Sequence, residues 1–139
     1  MTHAGNVLLS RGGELLAAFD CDESLRDDAR DAVAELRRMG LGVSMLTGDG
    51  SERAERIASA LSIEARSSMR PEEKARALES LGQCVALVGD GTNDAPATAQ
   101  AAVGVAVATA GSTTRGLADV ALLEADLRQL PWAIKRARQ

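Results

Sequence analysis

Asp90 and Asp94 lie four residues apart, joined by Gly91-Thr92-Asn93. An apolar run from Cys84 to Val88 leads into the first of them, and a helical pattern begins near Asn93. That spacing brings one carboxylate off a strand end and puts the other in the first turn of a helix, so both converge on one crevice. Paired carboxylates of this kind suit a hard, oxygen-seeking cation such as Mg²⁺. Gly89 and Gly91 permit a tight turn and a close approach of the backbone to a ligand. Considered as two isolated aspartates, the pair reads equally well as an ordinary strand-to-helix turn, with Asp94 as a favourable charge at a helix N-terminus.

A second motif, Thr47-Gly48-Asp49, follows another apolar run and precedes a helical pattern that starts at Ser51. A hydroxyl beside exposed backbone N–H groups ahead of a helix makes a cradle for phosphate. Asp49 or Ser51 would serve as helix cap in the plainer reading, and the two are compatible. Lys74 is one of only two lysines, with Lys135, and sits within Arg70-Pro71-Glu72-Glu73-Lys74. A lone lysine is usually solvated surface. Its sequence position between the two motifs gives it a second role, offsetting the negative charge of a phosphoryl group during transfer.

Alternating apolar runs and helical patterns position these residues. Asn6 to Leu9 and Glu14 to Phe19 read as short strands joined like a hairpin at Arg11-Gly12-Gly13. Helical spacing covers Asp27 to Met39, Ser51 to Leu61, Pro71 to Leu81, Asn93 to Ala101 and Leu127 to Arg138. Strands are expected at Gly42 to Leu46, Ile63 to Ala65, Cys84 to Val88, Val103 to Val107 and Val120 to Leu123. The Cys84 to Val88 run is continuous, as in a strand buried on both faces. Such alternation predicts a single α/β domain over 1–139, three-layered, with a mainly parallel sheet and helices on both faces. Ligands bind such sheets outside the carboxyl ends of the strands, which is where both Gly-Asp motifs fall.

The bulk composition narrows the function classes. The chain has 139 residues, 45% hydrophobic and 26% charged, enough for one ordinary soluble domain. Its only aromatic residues are Phe19 and Trp132, so the core must be aliphatic. A net charge of −4 and so few stacking side chains argue against a nucleic-acid partner. Cys21 and Cys84 form no CxxC pair and read as small core or strand-end residues. His3, the only histidine, falls in an N-terminus read as disordered. With neither a signal-peptide pattern nor a stretch long enough to span a bilayer, a cytoplasmic location is expected.

The strings Thr47-Gly48-Asp49, Pro71-Glu72-Glu73-Lys74, VALVGDGTNDAPATAQAAVGVAV from Val85 to Val107, and ADVALL from Ala118 to Leu123 together resemble the haloacid-dehalogenase-like superfamily. More closely, they resemble the second half of the phosphorylation domain of heavy-metal-transporting P-type ATPases, from about Gly13 to the end. Asp22-Glu23-Ser24-Leu25-Arg26 resembles that family's entry segment, with Glu23 where aspartate is usual. The resemblance implies that Thr47 hydrogen-bonds the phosphoryl group and Lys74 neutralises it. It implies that Asp90 coordinates Mg²⁺, with Asp94 and Asn93 supporting the metal and phosphoryl site, and that Gly48 and Asp49 lie on the phosphate and nucleotide side. The phosphoryl source in the full-length family is ATP, by way of an aspartyl-phosphate.

Several family parts are missing from this chain: the DKTGT motif with the phosphorylated aspartate, the inserted nucleotide-binding domain, the membrane helices and the transport-site Cys-Pro motif. The resemblance therefore implies a piece of a metal-cation transporter that carries a Mg²⁺ and phosphate half-site, is inactive by itself, and has the rest of an ATPase as partner. In that fold the nucleophile strand lies between the strands ending in Thr47-Gly48-Asp49 and Gly89-Asp90. Its loss predicts a gap with unpaired backbone groups and, through that gap, homodimerisation. Glu14 to Phe19 is a candidate filler. It ends in Asp20-Cys21-Asp22-Glu23-Ser24, close to the D-x-D-x-T signature of the superfamily's phosphatases. On that alternative the chain is a stand-alone Mg²⁺-dependent phosphatase for a small phosphate ester, with Asp20 as nucleophile and Asp22 as general acid/base. The plainer reading is an acidic turn capped by Ser24 or Asp27. A non-catalytic binding module is the third reading.

Overall fold

A computed structural model describes residues 7–19, 25–89, 94–107, 118–122, 124 and 126–139. Strands β1 (Val7–Arg11) and β2 (Glu14–Phe19) form an antiparallel hairpin. Its turn uses Gly12 and Gly13 at φ 60° and 86°, a pair of positive values that glycine adopts without steric cost. Apolar side chains fall on both faces of this hairpin, and Val7, Leu8, Leu9, Leu16 and Phe19 are all exposed.

Helix α1 (Asp27–Arg38) buries Ala29, Ala32 and Leu36, one stripe at helical spacing. Its first turn holds Asp27 and Asp28 and its last turn Arg37 and Arg38, each matching the helix dipole. No side chain caps its N-terminus, so Asp27 is a first-turn charge and not the cap. Helix α2 (Ser51–Leu61) ends in Ser62 at a left-handed φ of 53° and has no basic residue in its last turn. Two arginines of α1 supply that charge. Arg30 donates to the Ala60 carbonyl at 2.7 Å, and Arg37 donates to the Ser62 carbonyl.

Strand β3 (Ser44–Leu46) pairs in parallel with β4 (Glu64–Arg66). Helix α3 (Pro71–Leu81) opens on proline, whose missing N–H costs nothing there. The Glu73 carboxylate turns back to accept the Arg70 N–H at 2.7 Å. Strands β5 (Ala86–Gly89), β6 (Val103–Val107) and β7 (Val120–Leu122) form a parallel sheet in the order β5-β6-β7. The short helix α4 (Ala95–Gln100) packs on both α3 and β6. Helix α5 (Gln129–Ala137) lies against α1, tied by a Lys135–Glu35 ion pair and by Asp28, which accepts the Leu127 N–H at 2.8 Å.

The architecture is α/β with parallel strands and helices, as expected. The ladder, however, is broken. Among the described residues β3 bonds only to β4 and β5 only to β6, leaving both with an unpaired edge. The expectation of a strand buried on both faces fails for β5. Ala86 is exposed and Leu87 and Val88 are half-buried. Cys84 is exposed as well, so it is no core residue. The neighbouring β6, paired on both sides, buries Gly104, Val105 and Ala106. Apolar sequence makes a strand able to be buried, but flanking elements do the burying. β2 does not supply the missing neighbour, since among the described residues it pairs with β1 alone.

Candidate functional site

Thr47 leaves β3 held at three points. Its N–H donates to the Arg66 carbonyl at 2.9 Å, and its own carbonyl accepts the Met69 N–H at 3.0 Å. Its hydroxyl oxygen accepts the Asp49 N–H at 3.1 Å. A hydroxyl engaged as acceptor keeps its proton for donation, which suits it to a phosphoryl oxygen. The Asp49 carbonyl accepts the Ser68 N–H at 2.7 Å, so the loop after β4 laces onto the Thr47-Gly48-Asp49 loop. The capping alternative does not hold: Gly50 occupies the N-cap of α2, and no side chain bonds there.

Lys74, in the first turns of α3, reaches across to α4. Its Nζ lies 2.7 Å from Asp94 Oδ1, with side chains only 12% and 18% exposed. Away from bulk water such a pair interacts more strongly than at the surface, and breaking it would strand a half-buried charge. Asp94 stands at the N-cap of α4, one position before the first turn where the sequence placed it, and makes no capping bond. Its carboxylate instead serves Lys74. Its carbonyl is gripped twice by Thr98, from the backbone N–H at 2.7 Å and the hydroxyl at 2.9 Å.

The structure thus joins Lys74 to Asp94 and shapes Thr47, Gly48 and Asp49 into a bonded loop. Asp90, Asn93, Asp20, Asp22 and Ser24 lie outside the described residues. Among the described residues no group of three or more His, Cys, Asp or Glu is arranged for a metal. The donors that are described, the Asp94 carboxylate and the Thr47 hydroxyl, are all oxygen. That chemistry fits Mg²⁺ and not a thiolate- or imidazole-seeking ion. Sequence reasoning missed Thr98. Its one signal was a hydroxyl four residues beyond Asp94, where a helix brings it back to that carbonyl.

A second charged cluster lies at the α1–α5 junction. Arg26 forks onto both oxygens of Asp28 at 2.9 and 2.8 Å, and Arg128 forks onto Asp126. Burial opposes ionisation of Asp28, but the hydrogen bonds from Arg26 and the Leu127 N–H outweigh it and hold the carboxyl below its ordinary value. Asp126 is likewise lowered, by the Arg128 side chain and backbone N–H. Each of these pairs is local in the chain, and the bond that crosses from one segment to the other is the Leu127 N–H to Asp28.

Comparison with known proteins places this geometry. The profile described as haloacid dehalogenase-like hydrolase matches residues 2–102. The chain belongs to this family. It is 43% identical over 137 residues to the "Probable cation-transporting ATPase G" of Mycobacterium bovis, covering 96% of this chain and 18% of that protein. It is 41% identical over 136 residues to the "Probable copper-transporting ATPase PacS" of Synechococcus elongatus, covering 95% of this chain and 18% of that one. A solved zinc-transporting PIB-type ATPase in its E2.Pi state superposes with a TM-score of 0.79 at 39% identity, over 94% of this chain and 22% of that one. The similarity to heavy-metal P-type ATPases that the motifs carried is therefore borne out. The chain spans about a fifth of the length of the relatives it matches, at 18% of each. No helix among the described residues is long and apolar enough to cross a membrane.

Proposed function

We propose that this haloacid dehalogenase-like domain is the Mg²⁺- and phosphate-binding part of the phosphorylation domain of an ATP-driven heavy-metal cation transporter, working at the cytoplasmic face. The Lys74–Asp94 pair is the observation that carries it, because it seats a half-buried cation beside the carboxylate at the N-cap of α4. In this reading Thr47 donates its hydroxyl proton to a phosphoryl oxygen, and Lys74 offsets that group's charge. Asp94, with Asp90, would hold Mg²⁺, which when bound neutralises charge on the phosphoryl oxygens. Gly48, Asp49 and Asn93 line the phosphate and nucleotide side.

The attacking aspartate comes from another part of the transporter, on a strand that enters between the open edges of β3 and β5. Its carboxylate oxygen bonds to the γ-phosphorus while the bond from that phosphorus to the ADP oxygen breaks. ADP leaves with the electron pair. Water later attacks the phosphorus, gives up a proton, and releases inorganic phosphate with the carboxylate restored. The exposed apolar faces of β1–β2 fit a contact with the remainder of such a protein.

The test is to mix the chain with a polypeptide carrying the preceding DKTGT segment and nucleotide-binding domain of a heavy-metal ATPase, then supply labelled ATP and Mg²⁺. Hydroxylamine-labile label should appear on the added polypeptide. Lys74→Ala and Asp90→Asn should reduce it by about a hundredfold or more. A complex that forms yet takes up no label would sink the proposal. Alone, the chain should hydrolyse a generic phosphate ester no faster than its Asp20→Asn variant. A clear loss on that substitution would favour the phosphatase reading instead.

A further inference from the structure

Thr98 is the one buried polar residue among the described residues, at 9% exposure. A threonine inside a helix often returns its hydroxyl to the carbonyl four residues back with no further consequence. Here the carbonyl belongs to Asp94, the N-cap residue of a helix only six residues long, whose side chain leaves the helix to meet Lys74. The backbone N–H and the hydroxyl of Thr98 hold that one carbonyl at 2.7 and 2.9 Å.

The other side of Thr98 is fixed too. A Cβ built on Gly104 would come within 2.5 Å of the Thr98 methyl carbon, so the methyl rests directly on the backbone of β6. Gly104 is itself pinned through its N–H to Asp119 Oδ2 at 2.7 Å. A continuous line of contacts therefore runs from the middle strand of the sheet through Thr98 to Asp94 and on to Lys74.

We infer that Thr98 is a positioning residue of the phosphoryl and cation site: it anchors the Asp94 main chain to β6, so that the Asp94 carboxylate stays on Lys74. The inference rests on the proposed function for its link to Mg²⁺ but not for the Lys74–Asp94 pair itself. Two measurements on the full chain keep these apart. One is Mg²⁺ titration followed by backbone amide NMR. The other is the Lys74 ammonium N–H signal at low temperature, which persists only while the group is held in a hydrogen bond.

In Thr98→Val the ammonium signal should be lost, and the Mg²⁺ dissociation constant should rise about fivefold, the size of one ordinary net hydrogen bond. Thr98→Ser, which keeps the hydroxyl, should restore both. Thr98→Ala replaces the valine variant if that one does not fold. If melting temperature falls while both signals stay at wild-type values, Thr98 is merely structural and the inference is overturned. If the wild-type chain binds no Mg²⁺, the functional reading of the site fails, and the ammonium signal alone decides the role of Thr98.

Discussion

β5 and β6 are neighbours in one sheet and both are apolar, yet they are buried to very different degrees. β6 has a strand on each side and α4 across it, and its centre is closed to water. Among the described residues β5 has a strand on one side only, and its residues are exposed or half-buried. The contrast locates the finished and unfinished parts of the molecule. The β6 side is a small core of close helix–strand contacts. Among the described residues β3 and β5 each keep one edge without a strand, and the proposed site lies at the carboxyl ends of those two strands.

Core truncation is the strongest way to break that comparison. Leu122→Ala, on β7 beside β6, should cost about 3 kcal/mol in urea denaturation, whereas Leu87→Ala on half-buried β5 should cost only about 1. Equal losses would mean that β5 is covered after all. Gly104→Ala comes next, since its new methyl collides with Thr98: about 2 kcal/mol of overpacking is expected, against a near-neutral Gly42→Ala, which meets nothing within 4 Å.

Asp28→Asn should cost about 1 kcal/mol at neutral pH, by weakening the Arg26 and Leu127 bonds. The folded carboxyl titrates below its unfolded value, so its contribution is present above about pH 4 and fades as pH falls through the folded pKa. Melting curves of the wild type and Asp28→Asn should therefore converge in acid; a gap that persists there would contradict this origin. The smallest effect is expected on the hairpin. Phe19→Ser removes an exposed ring and should change stability by less than about 0.5 kcal/mol while raising solubility.

Much of this was legible locally. Ser51–Leu61 and Pro71–Leu81 begin and end where the sequence placed them; Gly50 marks the start of the first, which closes on a left-handed Ser62, and Pro71 and Gly82 bracket the second. The Gly12-Gly13 hairpin was legible for the same reason. β3 was placed from Gly42, but its ladder starts at Ser44, since pairing and not apolar content decides where a strand begins. Lys74 and Asp94 were each singled out, and the pattern that found them is local. That they form an ion pair depends on α3 packing against α4, a contact between residues 20 apart that periodicity does not encode. The exposure of Cys84 and β5 was hidden for a similar reason: burial belongs to the neighbours of a strand.

The two arginines that α1 extends to the end of α2 have a consequence for motion. The last turn of α2 has no basic residue, and the Ala60 and Ser62 carbonyls take Arg30 and Arg37 from α1 instead. If α1 lifts away, the tail of α2 loses these two bonds at the same moment. The two segments should then open as one cooperative unit, with their slowest amide protons exchanging at a shared rate, although 30 residues of chain separate Arg30 from Ala60.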